Sequence, residues 1–108
     1  MRYHDEFEWD PQKAKINRTK HGVSFDDAKA VLEDDQAELY HVETFDDAHS
    51  MAEDRHITTA SHPADRSIIL LICWTDRYQG DERVTRVISA RHATRRERKQ
   101  YAQAIEGR

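Results

Sequence analysis

The residues able to do chemistry in this 108-residue chain are cations and imidazoles. Lys20 and His21 are adjacent, Arg55 precedes His56, and Arg77, Arg86, Arg91 and Tyr101 follow. His62 and Arg66 lie between Arg55 and Arg77. Histidine exchanges protons near neutrality. Arginine grips a phosphate through two parallel hydrogen bonds. Such a set has the parts to break a phosphodiester that carries a neighbouring hydroxyl, as RNA does. A base takes the 2′-OH proton, cations hold the pentavalent phosphorus, and an acid protonates the departing 5′-oxygen. Plainer roles compete. Lys20-His21 suits a helix end, where cations meet the negative end of the dipole. Tyr101 suits an amphipathic core position with a wet hydroxyl. The run from Arg95 to Lys99 suits a solvated helix face, and Asn17 suits a loop anchor.

Other chemistries lack their motifs. Seven histidines, at 4, 21, 41, 49, 56, 62 and 92, show no H-x-x-x-H or H-E-x-x-H spacing, and the single cysteine excludes a cysteine-rich zinc site. No metal and no cofactor is expected. Three glycines, at 22, 80 and 107, form neither a phosphate loop nor a dinucleotide fingerprint. No G-x-S-x-G occurs, and Ser89 has no evident base beside it.

The elements that would position these residues follow from periodicity and punctuation. Tyr3–Trp9 alternates as a short strand. Asp10-Pro11 starts a helix that runs to His21, with Gly22 as its left-handed stop. Ser24 caps a second helix whose stripe is Phe25, Ala28, Val31 and Leu32. Strands are expected at Ala37–Val42, Arg55–Thr59, Ser67–Thr75 and Arg83–Arg91, with polar loops over Thr44–Glu53 and Asp76–Glu82. Ser67–Thr75 is apolar enough for a central strand covered on both faces. The last three strands are antiparallel, because their connections are too short for a crossover helix. Thr94 and Glu97 form a capping box before a last helix whose stripe is Tyr101, Ala102 and Ile105. The outcome is α+β: a mostly antiparallel sheet with two N-terminal helices and one C-terminal helix. Strict alternation puts Arg86 and Arg91 on opposite faces unless a bulge intervenes. Arg91 stands beside a helix N-terminus, a natural place for an anion, and is the stronger candidate of the two.

Length allows one domain, residues 1–108. Residues 1–54 hold six Lys/Arg against fifteen Asp/Glu, a net of −9. Residues 55–108 hold eleven against six, a net of +5. The total of −4 therefore hides a basic half, and it is the local field that governs phosphate binding. The lone Cys73 suits a reducing compartment, the N-terminus has no apolar leader, and no run is long enough to span a membrane. A cytoplasmic, soluble protein is expected.

The strings Phe7-Glu8-Trp9-Asp10, Lys13-Ala14, Asn17 and Lys20-His21-Gly22-Val23-Ser24-Phe25, with Ala28, resemble the N-terminal signature of BrnT-type toxins. Glu53-Asp54-Arg55-His56-Ile57-Thr58 resembles that family's middle strand. Arg86-Val87-Ile88-Ser89-Ala90-Arg91, with Ala93, Glu97 and Tyr101, resembles its C-terminal signature. The resemblance implies a RelE-like fold and a ribonuclease that inhibits translation, acting on RNA on or off the ribosome. It also implies a BrnA-type antitoxin, and operator DNA bound only through the complex of the two. Carried over by position, Lys20, His21, Arg55, Arg77 and Arg91 are the catalytic candidates. Lys20 or His21 would serve as base or acid and the arginines would hold the phosphate. Arg86, Tyr101, His62 and Arg66 are candidates for RNA binding. The family's middle strand continues with Gly-Arg, where this chain reads Ala60-Ser61-His62. The role of that arginine would pass to Arg66 or His62, or else be lost. Loss would leave an antitoxin-binding module in a repressor complex. A housekeeping RNA-binding domain without an antitoxin is a third reading.

Overall fold

A computed structural model describes residues 6–45 and 54–108. Among the described residues of the expected first strand, Phe7–Glu8 form β1; Tyr3–Asp5 lie outside the described residues. Helix α1 spans Pro11–His21, with proline at its first position. Asp10 accepts a hydrogen bond from the Gln12 N–H at 2.8 Å, and Gly22 closes the helix at φ 70°. Helix α2, Phe25–Leu32, starts where the Ser24 hydroxyl accepts from the Asp27 N–H. Its apolar stripe is buried throughout.

A third helix, α3, occupies Ala37–Tyr40, and strand β2 covers Val42–Phe45. This corrects the expected Ala37–Val42 strand and the expected loop over Thr44–Phe45. Residues 46–53 lie outside the described residues. The Asp34 carboxylate caps the Gln36 N–H at 2.9 Å, and Ala37, Glu38 and Leu39 are good helix formers. The turn is closed by the Arg66 guanidinium, 3.6 Å from the Tyr40 ring centre and 2.6 Å from Asp34 Oδ2. A long-range cation thus overrides a weak strand pattern.

Strands β3 (Arg55–His62), β4 (Asp65–Gln79) and β5 (Glu82–His92) follow as two hairpins, the second turning at Gly80 with φ 65°. Helix α4 is Arg95–Glu106, with the Thr94/Glu97 capping box formed. The sheet order is β1-β5-β4-β3-β2, antiparallel except for β1, which lies parallel to β5. The architecture is α+β with five strands and four helices among the described residues. The apolar run is indeed central.

One face of the sheet carries the core. Leu70, Ile72 and Trp74 of β4, Ala60 of β3, and Val87 and Ala90 of β5 pack against Val23 and the α2 stripe. Trp9 meets Phe25 edge-on, at 5.9 Å between ring centres. Each fully buried Leu or Ile contributes roughly 1.5–3 kcal/mol. Buried polar groups on this face are satisfied: Trp74 Nε1 donates to Thr58 Oγ1, which donates to Glu43. With the helices α1 and α2 holding this face, the other is left for α4 and for the arginines.

Candidate active site

Strand pairing decides which side chains share a face. Arg55 and Arg86 both pair with Thr75 of β4, Ser89 pairs with Cys73, and Arg91 pairs with Leu71. Thr75, Cys73 and Leu71 alternate on one side of β4, so Arg55, Arg86, Ser89 and Arg91 lie together on the face opposite the core. The register shifts between Cys73 and Trp74, because Ser89 pairs with Cys73 whereas Val87 pairs with Trp74. Ile88 is the extra residue. This bulge corrects the expectation that Arg86 and Arg91 point apart: they flank Ser89 instead.

Asn17 fixes α1 against this strand. Its amide nitrogen donates to Val23 O at 3.0 Å and to Ala90 O at 2.7 Å, and its Oδ1 accepts from the Ala90 N–H at 3.2 Å. The side chain thus supplies β5 with the donor and acceptor a neighbouring strand would provide, beyond the point where β1 ends. The anchoring role expected for Asn17 is the one observed. Three and four residues on, Lys20 and His21 share a shallow groove of about 210 Å³ with Lys13, Ile16, Ile88 and Ser89. Ser89 lines this groove and, in the strand, lies between Arg86 and Arg91 on the same face.

Each candidate's present partner tells what holds it. Arg91 Nη1 and Nη2 donate to the two Glu97 carboxylate oxygens at 2.7 and 2.9 Å, and Nη1 also reaches His92 O at 3.2 Å. Glu97 Oε1 accepts from the Thr94 N–H as well, at 2.8 Å. The anion position at the start of α4, expected to be open to a ligand, is filled by Glu97. The Glu97 pKa is held down to about 2, chiefly by the hydrogen bonds from Arg91. Burial opposes this, and Thr94 adds to it. The same bonds raise the Arg91 pKa. Glu8 lies between two cations, 3.6 Å from Arg86 and 3.9 Å from Arg77. Arg77 is half-exposed and shares the face of Arg55 and Arg86.

The Glu97 clamp predicts an acid limit. Its folded pKa lies below the unfolded value of 4.5, so its stabilisation is complete above that value and is lost as pH falls toward 2. The expected contribution is roughly 2 kcal/mol once solvent screening of this partly exposed pair is allowed for. Glu97→Gln should be less stable than the native chain at neutral pH by that amount. In urea titrations the gap should narrow as pH falls below 4.5 and close only near pH 2, where Glu97 becomes neutral in the folded chain as well.

Three expected RNA contacts are otherwise engaged. The Tyr101 hydroxyl accepts from the Ser61 N–H at 3.3 Å and donates to Tyr40 O at 2.6 Å, so it ties α4 to α3 and β3. The Arg66 guanidinium binds Asp34, Gln36 and Ser61 and stacks on Tyr40. His62 Nδ1 accepts from the Ala64 N–H, which leaves its Nε2–H to face Asp27 Oδ1 at 3.2 Å. Ser61, where the family's arginine was expected, is buried beside Tyr101 and Arg66. Sequence reasoning did not single out Ser89, between Arg86 and Arg91, nor Glu97 and Glu8 as counter-charges of the arginines. The R-x-I-S-A-R string holds the signal for Ser89, but only once the bulge is known.

The family model described as "Ribonuclease toxin, BrnT, of type II toxin-antitoxin system" matches residues 9–97. The chain belongs to the BrnT family. The match takes in α1, the Asn17 anchor, all three arginine-bearing strands and Glu97, and so covers the cluster just described apart from Glu8. No curated protein matches the chain. A BrnT chain is by that description a ribonuclease toxin, and a type II system supplies it with an antitoxin partner. Among the described residues of this BrnT chain no helix is long and apolar enough to cross a membrane, and no three His, Cys, Asp or Glu side chains gather as metal ligands.

Proposed function

We propose that this chain is a metal-independent endoribonuclease that halts translation, with its reaction centred on Ser89. The supporting observation is the bulge at Ile88, which puts Arg86 and Arg91 on the face that carries Arg55, with Ser89 between them lining the groove of Lys20 and His21. His21 or Lys20 removes the 2′-OH proton. The O2′ attacks phosphorus, the P–O5′ bond breaks, and a protonated member of the same pair delivers a proton to the leaving oxygen. The products are a 2′,3′-cyclic phosphate and a 5′-hydroxyl. Arg91, Arg86 and Arg55, with Arg77 at the rim, stabilise the charge that grows on the phosphoryl oxygens. Glu97 and Glu8 act as stand-ins for that charge and hold the guanidiniums in place until RNA arrives.

The wider reading is a RelE-like toxin of the cytoplasm, neutralised by a BrnA-type antitoxin, the two together binding operator DNA. One observation favours the inactive, antitoxin-binding alternative: Ser61 is small and buried where the family carries arginine. Incubating the pure protein with RNA in EDTA separates the two. Cleavage to cyclic-phosphate ends, with growth arrest on induction, is the expected result. Intact RNA in both EDTA and magnesium, with normal growth, would establish the binding module. Cleavage that needs the metal would overturn the mechanism.

A further inference from the structure

A second groove opens on the arginine-bearing face, between β2–β4 and α4. Its volume is about 300 Å³. Val42, Ile57 and Leu71 form an apolar floor, and Thr44, Thr59 and Gln100 set polar groups around it. Leu71 is the direct cross-strand neighbour of Arg91, and Glu97, the partner of Arg91, stands at the groove's wall. The groove is therefore continuous with the proposed phosphate clamp, displaced by one to two strands, with neighbouring strands about 4.8 Å apart. That is the offset between a nucleotide's phosphate and its base.

We propose that this groove seats the nucleobase adjoining the phosphate held at Arg91, which makes it the specificity pocket of the enzyme. The inference rests on the ribonuclease reading and extends it to substrate choice. An apolar floor with a few converging polar groups is the usual make-up of a small-ligand site, and a space near the lower size limit of such sites suits one base and its ribose. The Gln100 amide carries both a donor and an acceptor, the pair needed to read a base edge at two points. The wall behind it is tied at Tyr101, whose hydroxyl is bonded on both sides. Arg91, held ready by Glu97 until RNA arrives, sets where the phosphate sits relative to the base.

The test titrates the full chain with the four nucleoside 3′-monophosphates and, separately, with inorganic phosphate. Chemical shifts of the Ile57 and Leu71 methyl groups locate the base. One nucleotide should bind about tenfold tighter than phosphate and move both methyls, as expected for two-point recognition of a base edge. Gln100→Ala should reduce the spread among the four nucleotides and move the base preference of RNA cleavage. Nucleotides that bind no tighter than phosphate, or that leave both methyls unmoved, would overturn the pocket, as would an unchanged cleavage preference in Gln100→Ala. Base-dependent binding in the groove by a protein that cuts no RNA would leave the pocket standing and remove the nuclease.

Discussion

Arg91→Ala should lower RNA cleavage by about 10²–10³-fold, the usual loss when one oriented donor to a developing oxyanion is removed. The fold should pay little. The Arg91–Glu97 pair is a quarter to just over a third exposed, and its deletion is expected to lower stability by only about 1–2 kcal/mol. The pairing geometry gives a sharper comparison. Lysine keeps the charge but cannot make two parallel bonds to Glu97, so Arg91→Lys should recover only a small part of the rate. Cleavage rates in EDTA, set beside melting temperatures of the same variants, check this. An Arg91→Ala protein that cuts RNA at the native rate would remove Arg91 from the mechanism.

Asn17→Ala is expected to cost about 3 kcal/mol, because it orphans the Ala90 N–H and C=O at a buried edge. For a domain of this size the melting temperature should fall by roughly 10–20 °C. The effect should not stop at stability. Asn17 is the tie that holds the end of α1 against β5, so Lys20 and His21 lose their place beside Ser89. Amide exchange at Ala90 should rise well above that of its neighbours, and cleavage by the fraction still folded should drop with it. A variant with native melting and native Ala90 protection would show that α1 is held by other contacts.

Punctuation was the most legible part of the sequence. Asp10, Pro11, Gly22, Ser24, Thr94 and Glu97 sit where local hydrogen bonding alone requires them, and α1, α2 and α4 begin and end accordingly. The central strand was legible from its unbroken apolar run. What escaped depends on contacts between distant residues. Helix α3 forms because Arg66, across a hairpin, binds Asp34 and covers Tyr40. The parallel pairing of β1 with β5 joins residues nearly eighty positions apart. In the candidate site, the types of residue were legible and their geometry was not. Alternation separated Arg86 from Arg91, and no residue type announces a bulge at Ile88. Tyr101, Arg66 and His62 were candidates for RNA binding, yet each is bound within the fold, and for Tyr101 it is the competing core position that is observed.

The one-residue offset in β5 places the sidedness of an arginine in the count of residues rather than in their kinds. Any side chain at position 88 that tolerates its surroundings keeps the two guanidiniums in phase. One residue more or fewer between Arg86 and Arg91 would turn one of them toward the helix-covered interior. Drift in this family can therefore rewrite much of the strand's chemistry by substitution, but a change in its length by a single residue would silence the clamp while leaving every cationic letter in place.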